Sequence, residues 1–179
     1  MSPSVRPTGV ERTFERDEII VTKTDLQGRL TYANDVFLRI SALTEDEALG
    51  KPHNVIRHPD MPGGVFRLMW ETLAQGREMF AYVQNLATDG AHYWVYAHVT
   101  PTTDASGKIV GYHSNRRSPS RAGVLAAQDL YRRMLAEERR TTNAPEAAAR
   151  GLATLREILT QQGTTYDELV WSITKEDAA

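Results

Sequence analysis

The chain contains no cysteine, which excludes disulfides, thiolate metal sites and cysteine nucleophiles and is compatible with a reducing cytoplasm. No apolar run reaches the roughly 18 residues that suggest a membrane-spanning helix, and the first residues lack the apolar core of a secretory signal. The formal net charge is only −2, so there is no broad electrostatic footprint for nucleic acid or an anionic membrane. These absences predict a cytoplasmic protein that neither binds nucleic acid nor inserts into a membrane.

Signatures of catalysis are also missing from the sequence. There is no nucleophile with an adjacent base, and there is no glycine-rich phosphate loop. His92 and His98 share one side of a predicted strand, but they lie about 20 Å apart along an extended chain, which is too far for one metal ion. The sequence therefore predicts a protein that is not an enzyme and holds no metal.

What is present is enough apolar sequence for one core and a small appendage: 41% of the 179 residues are hydrophobic. Two strand-like runs, at 19–24 and 29–33, precede several short helical segments, and three more runs follow, at 79–86, 92–100 and 108–114. Strands that bracket helices favour an α+β fold. We expect a five-stranded antiparallel sheet with short helices on one face. On the second-to-last strand, Tyr93, Val95, Ala97 and Val99 should face those helices. On the opposite face, Trp94 and Tyr96 should form either an exposed aromatic patch or a surface on which the chain's own tail docks.

Three regions are expected along the chain. Residues 1–17 should be a mobile segment with a short polar helix at 11–17, residues 18–120 a globular domain, and residues 121–179 a helical tail. The apolar stripes of the tail must dock on the sheet, on a second copy or on a partner. Between domain and tail, Arg116, Arg117 and Arg121 are interpreted as a solvated linker.

The segment between two helical patterns is the most informative part of the chain. It reads Pro52-His53-Asn54-Val55-Ile56-Arg57-His58-Pro59-Asp60-Met61-Pro62, and Trp70 follows eight residues later. Prolines stiffen this backbone, while Arg57 offers the planar, two-pronged donor that binds phosphate well. Read alone, Arg57-His58-Pro59-Asp60 could equally be a loop held by its own salt bridges and hydrogen bonds.

Together with Tyr32-Ala33-Asn34-Asp35 before it and Asn85…Gly90-Ala91-His92-Tyr93-Trp94-Val95 after it, this block resembles the PAS sensory domain of the bacterial aerotaxis receptor family over about residues 18–117. The resemblance implies a PAS fold, bound flavin adenine dinucleotide (FAD) and a role in redox sensing. It ties Asn34, Arg57, His58 and Asp60 to FAD binding, and we add His53 and Trp70 of the same block as cofactor-binding candidates.

Two residues are candidates for the polar edge of a flavin ring. Asn85 ends a strand, as do flavin-contacting amides in the related light-oxygen-voltage domains, although an asparagine before a turn also serves simply to end a strand. His113 stands where those domains carry a glutamine on the last strand, and a histidine there could exchange a proton with the ring. The alternative for His113 is an ordinary surface or core histidine.

The sequence also departs from the family. Without cysteine, the thiol adduct of light-oxygen-voltage domains cannot form, and Met79, Leu86, Ala87 and Thr88 replace a tryptophan and basic residues typical of aerotaxis receptors. Haem held by His53 or His58 and a cofactor-free dimerisation adaptor remain alternatives. The resemblance implies relay to a partner such as a membrane-bound methyl-accepting transducer, with a homodimer possible.

Overall fold

The structure, a computed structural model, describes residues 5–175, and in that part of the chain it shows an α+β fold with five strands and six α-helices. The strands are β1 (Ile20–Thr24), β2 (Leu30–Ala33), β3 (Met79–Leu86), β4 (His92–Thr103) and β5 (Ile109–Arg117). The helices are α1 (Asp35–Ser41), α2 (Glu45–Ala48), α3 (Gly63–Ala74), α4 (Arg121–Glu138), α5 (Ala144–Gln162) and α6 (Tyr166–Lys175). A single 3-10 turn, His53–Ile56, lies between α2 and α3.

The strands form one sheet in the order β2-β1-β5-β4-β3. β1 pairs antiparallel with β2 and with β5, and β4 pairs antiparallel with β5. The tight turn before β2 is fixed by Asp25, whose carboxylate accepts hydrogen bonds from the backbone N–H groups of Gln27 and Arg29. The predicted five-stranded antiparallel sheet is confirmed.

By their contacts, the described residues divide into two compact units. The first comprises residues up to 58 together with 83–118, and the second comprises 59–82 together with the chain from 119 onward. This division differs from the three consecutive regions expected from the sequence, because α3 and the start of β3 group with the C-terminal helices.

The core of the first unit lies on one face of the sheet, under α1 and α2. Its buried members include Ile20 and Leu30 from β1 and β2, Phe37 and Ile40 from α1, and Tyr93, Val95 and Ala97 from β4. The alternating positions of β4 therefore face the core as predicted. Trp94, on the opposite parity, is only 5% exposed, so of the two alternatives for this face the exposed aromatic patch is not observed at this residue.

The N-terminal segment is held on the first unit by its backbone. Thr8 donates to Gly90, Arg12 donates to His92, and His92 donates back to Val10, while Phe14 is buried in the core. These hydrogen bonds replace the polar helix predicted for 11–17 and contrast with the expected mobile segment; residues 1–4 lie outside the described part.

The second unit is a helical cluster in which α5 packs on α3 and on α4, and α6 packs on α4. Within it, the side chain of Glu138, at the end of α4, accepts hydrogen bonds from the first N–H groups of α3, Gly63 at 2.8 Å and Gly64 at 2.9 Å. Gly151 of α5 lies so close that a Cβ there would overlap this carboxylate.

The apolar stripes predicted for the tail are largely buried within this unit. Leu152, Leu155 and Ile158 are at most 4% exposed, and a capping box forms before α6 between Thr165 and Glu168. Trp171 differs, with 58% of its surface exposed.

Candidate functional site

The loop around Arg57 is attached to the edge of the sheet. The 3-10 turn ends at Arg57, which forms an antiparallel bridge with Asn85 of β3. The two residues differ in exposure, since Asn85 is 5% exposed whereas Arg57 is exposed to solvent. The structure thus brings two of the predicted cofactor residues side by side, with an amide inside and a cation outside.

His58 follows directly and turns inward. It is 4% exposed, and its ring meets the ring of His92 edge-on with 6.0 Å between centroids. The next candidates belong to the second unit, where Asp60 forms an ion pair with Arg139 of α4 at 3.1 Å and Trp70 of α3 is 42% exposed. The structure therefore gathers His53, Arg57, His58 and Asn85 in the first unit, and it gives Asp60 a partner that the sequence did not suggest.

Asn34 has a structural task that accounts for most of its amide. Its side-chain oxygen accepts from the N–H groups of Val21 and Phe37, and its amide nitrogen donates to the carbonyl of Ile19 at 2.8 Å. It is thus the N-cap of α1 and also ties that helix to β1. Any effect of Asn34 on a cofactor would come through the position of α1.

His113 lies on the other face of the sheet. Its Nε2 is 3.0 Å from the side-chain oxygen of Asn115, two residues along the strand, and Asn115 pairs with His98 across β4. The core-facing residue Ala97 instead pairs with Arg116. Because side chains alternate between faces along a strand, His113 lies on the face opposite to the core, and its contact with a flavin ring stays a prediction.

The side chains that β5 turns toward the core are Ser114 and Arg116. Arg116 is 5% exposed, so its interpretation as part of a solvated linker is wrong. Its Nη2 donates to the hydroxyl of Thr22 at 2.8 Å and to Nε2 of His53. Because arginine only donates, Nε2 of His53 must accept, which leaves the ring proton on Nδ1.

The pKa values of the buried groups around Arg116 are shifted mainly by burial. Burial and the neighbouring Arg116 charge lower the pKa of His53 to about 3, so the ring is neutral at physiological pH. Burial also lowers the pKa of Arg116 to about 10, which still leaves the guanidinium charged. Burial raises the pKa of Tyr93 to about 12, against the effect of its hydrogen bond with Ser41.

Two buried side-chain atoms, one on Arg116 and one on Ser114, have no hydrogen-bond partner among the described residues. Nη1 of Arg116 and Oγ of Ser114 are both buried, and nothing in the described part of the chain accepts from or donates to them. Buried polar groups are paired in the large majority of cases, so these atoms indicate a place where a polar ligand or an ordered water would bind. We call the group formed by Thr22, His53, Ser114 and Arg116 the interior polar cluster.

Sequence reasoning placed His53 in the site but missed Arg116 and Ser114. The signal was strand parity: Arg116 and Ser114 share one parity on β5, and His113 has the other. Which parity faces the core depends on pairing with β1 and β4, and the sequence alone does not show that pairing.

Among residues 5–175, no group of three or more histidine, aspartate or glutamate side chains is arranged to hold a metal ion. No helix in the same range is long and apolar enough to cross a membrane.

Comparison with known proteins identifies relatives of the first unit and of part of the second. The profile of a family described as the PAS fold matches residues 30–116. The aerotaxis receptor of Escherichia coli (strain K12) is 41% identical over 116 residues, which is 65% of this chain and 23% of that protein. The nitrogen fixation regulatory protein of Klebsiella pneumoniae is 27% identical over 133 residues, 74% of this chain and 27% of that protein.

Solved structures show the same fold at low sequence identity. The dark structure of the blue-light photoreceptor Aureochrome1 LOV has a TM-score of 0.55 at 21% identity, covering 62% of this chain and 82% of that one. A light-oxygen-voltage domain studied with a flavin analogue has a TM-score of 0.54 at 19% identity, covering 58% and 79%. The chain spans about a quarter of the length of the two named curated relatives.

Proposed function

We propose that this chain, whose residues 30–116 match the PAS fold family, is a cytoplasmic redox sensor that binds FAD and relays its redox state to a chemotaxis-type signalling partner. Similarity to an aerotaxis receptor at 41% identity supports the sensory part of this proposal. FAD, when bound, would supply a ring that changes charge and hydrogen bonding as it gains or loses electrons.

The observation that best supports a bound cofactor is the interior polar cluster. Nη1 of Arg116 and Oγ of Ser114 are buried on the core face of the sheet without a partner. A cofactor pocket needs a few polar groups in largely apolar walls, and Phe37, whose ring lies 5.8 Å from the Arg116 guanidinium carbon, is one such wall. The residues present therefore fit a planar, polar ring ligand.

The remaining candidates would hold the rest of the cofactor. Arg57 is exposed and charged, as a pyrophosphate clamp must be, and the buried Asn85 beside it offers an amide to a ring edge. His58 is buried next to them. Asp60, which the resemblance also connects with FAD, and Trp70, a further candidate of the same block, belong to the second unit. Asn34 would act indirectly, by holding α1 in place.

Signalling would proceed by a population shift. A change of charge at the ring would alter the hydrogen bonds of Arg116 and Ser114, both on β5, and β5 leads directly into α4. The output partner, which we propose to be a membrane-bound methyl-accepting transducer or similar protein with the sensor acting as a monomer or homodimer, would read that change.

The test is the absorption spectrum of the purified full chain, followed by mass analysis of any pigment released on denaturation. A two-band flavin spectrum and released FAD support the proposal. A Soret band would identify a haem sensor instead; Nε2 of His53 is already engaged by Arg116, which disfavours that residue as an iron ligand. A colourless protein that cannot be reconstituted with FAD would overturn the proposal and favour a cofactor-free adaptor.

A further inference from the structure

We propose that Arg116, assisted by Ser114, is the residue that binds the oxygen-rich edge of the ring ligand in the first unit, and that it is held as an incompletely bonded cation until the ligand arrives. This inference rests on the proposed function and deepens it by naming the contact and the chemical class of the group that fills it. The class is a hydrogen-bond acceptor edge, such as adjacent carbonyl oxygens on a conjugated ring.

The first step of the argument is that Arg116 has no counter-charge. Its recorded partners are a hydroxyl and a neutral imidazole, from Thr22 and His53. None of the ion pairs recorded among the described residues includes Arg116, and the phenol of the nearby Tyr93 is neutral at physiological pH because burial raises its pKa to about 12. A buried guanidinium with neutral partners keeps its charge but is poorly compensated.

The second step is that the remaining donors of Arg116 point to an acceptor that the chain does not provide. Two hydrogen bonds come from Nη2, while Nη1 is buried and unbonded. Arg116 lies on the central strand β5, between β1 and β4 and two strands from either edge of the sheet. Its side chain therefore cannot easily reach solvent. The Ser114 hydroxyl, on the same face of the same strand, is buried and unbonded as well.

The third step is energetic. Leaving a buried charged group incompletely bonded is costly, whereas a buried charge replaced by an apolar side chain of similar size is often neutral or stabilising. An arginine that only supported the fold would be expected to have its donors satisfied. Arg116 therefore reduces the stability of the ligand-free protein and recovers that cost when an acceptor binds.

The fourth step concerns redox sensing. A fixed cation beside the acceptor edge of a ring favours the form with more negative charge. When an external electron donor reduces the ring, the added electron density is stabilised by Arg116. Removing this charge should lower the midpoint potential of the bound cofactor as well as weaken its binding.

The experiment compares Arg116→Met with Arg117→Met. Methionine keeps most of the length of the side chain without charge or donors, and Arg117 is the exposed neighbour of opposite strand parity. In protein freed of flavin, Arg116→Met should have a higher melting temperature than wild type. In the same variant, FAD affinity should fall about tenfold or more, as expected for loss of a charge-assisted contact, and the midpoint potential of residual bound flavin should drop. Arg117→Met should match wild type in all three.

A lower melting temperature for ligand-free Arg116→Met together with unchanged FAD affinity would overturn the proposal, because it would make Arg116 a structural residue with its donors met by ordered water. If Arg116→Met does not fold, Arg116→Lys replaces it: lysine keeps the charge but lacks the fork, and should retain the potential while losing affinity. Unchanged affinity in Arg116→Lys and Arg117→Met alike would also contradict the proposal. If wild type binds no FAD, the proposed function fails, and the ligand-free comparison alone decides whether Arg116 is an uncompensated charge.

Discussion

Replacing Glu138 with glutamine should loosen the helical cluster of the second unit. Glu138 is only 9% exposed, and its two oxygens accept from the N–H groups of Gly63 and Gly64 at the start of α3. These are donors that a helix cannot satisfy internally. Glutamine has one acceptor oxygen, so its amide N–H₂ would face the second backbone N–H, and the negative charge at the positive end of α3 would be lost.

The expected cost of Glu138→Gln is about 1.5–3 kcal/mol, the value of one hydrogen bond to a charged group. No large offset is expected, because the gain from burying a neutral side chain is countered by the new contact between two donors. The measurement is equilibrium urea unfolding of the full chain followed by circular dichroism, with the midpoint and the slope fitted together.

The matched control is Glu137→Gln in the adjacent position. Glu137 forms an exposed i,i+3 ion pair with Arg140 at 3.0 Å, and such surface pairs contribute about 0–1 kcal/mol. Glu138→Gln should therefore be the more destabilised of the two variants by at least about 1 kcal/mol. Equal stability of the two variants would show that the contact between α4 and α3 does not hold the unit together.

Three further outcomes are expected. Gly151→Ala should destabilise the protein by more than about 1 kcal/mol in the same urea assay, although alanine normally favours helix interiors, because its Cβ would displace Glu138; a stabilised variant would contradict the packing. The pKa of His53 is lowered to about 3 in the folded state, so on acidification His53 is protonated in the unfolded chain at a higher pH than in the folded protein. The free energy of unfolding should therefore fall as the pH drops below 6.5, by about 2 kcal/mol at pH 5. The His53→Gln variant should show a weaker pH dependence in urea titrations at several pH values. After dialysis, the Arg57→Ala variant should retain at least about tenfold less FAD than wild type. An FAD content equal to that of wild type would show that Arg57 does not bind the pyrophosphate.

Several local features follow from short-range chemistry and were predictable from sequence. The turn at Asp25, the capping boxes at Thr44 and Thr165, and the end of α5 at Gly163 each depend on residues within about four positions. The alternation of β4 also predicted its core face correctly, because the strand has an apolar side, with Tyr93, Val95 and Ala97, and a more polar side.

The orientation of β5 could not be read in this way. Its inward side carries Ser114 and Arg116 and its outward side carries His113 and Asn115, so both parities are polar and hydropathy gives no preference. Only the register against β1 and β4 decides which side is buried. The same holds for Asn34, which the resemblance ties to FAD: its role as the N-cap of α1 depends on its neighbours in space, Ile19, Val21 and Phe37.

The sequence by itself determined that this chain forms an antiparallel α+β domain with a helical tail, since periodicity, turns and caps are local. Tertiary structure alone decided that α3 groups with the tail through Glu138, and that Arg116 is a buried cation with an unbonded donor. Both depend on contacts between residues far apart in the chain, about 75 positions for Gly63 and Glu138, and no local pattern records which distant partner a charged side chain will meet or lack.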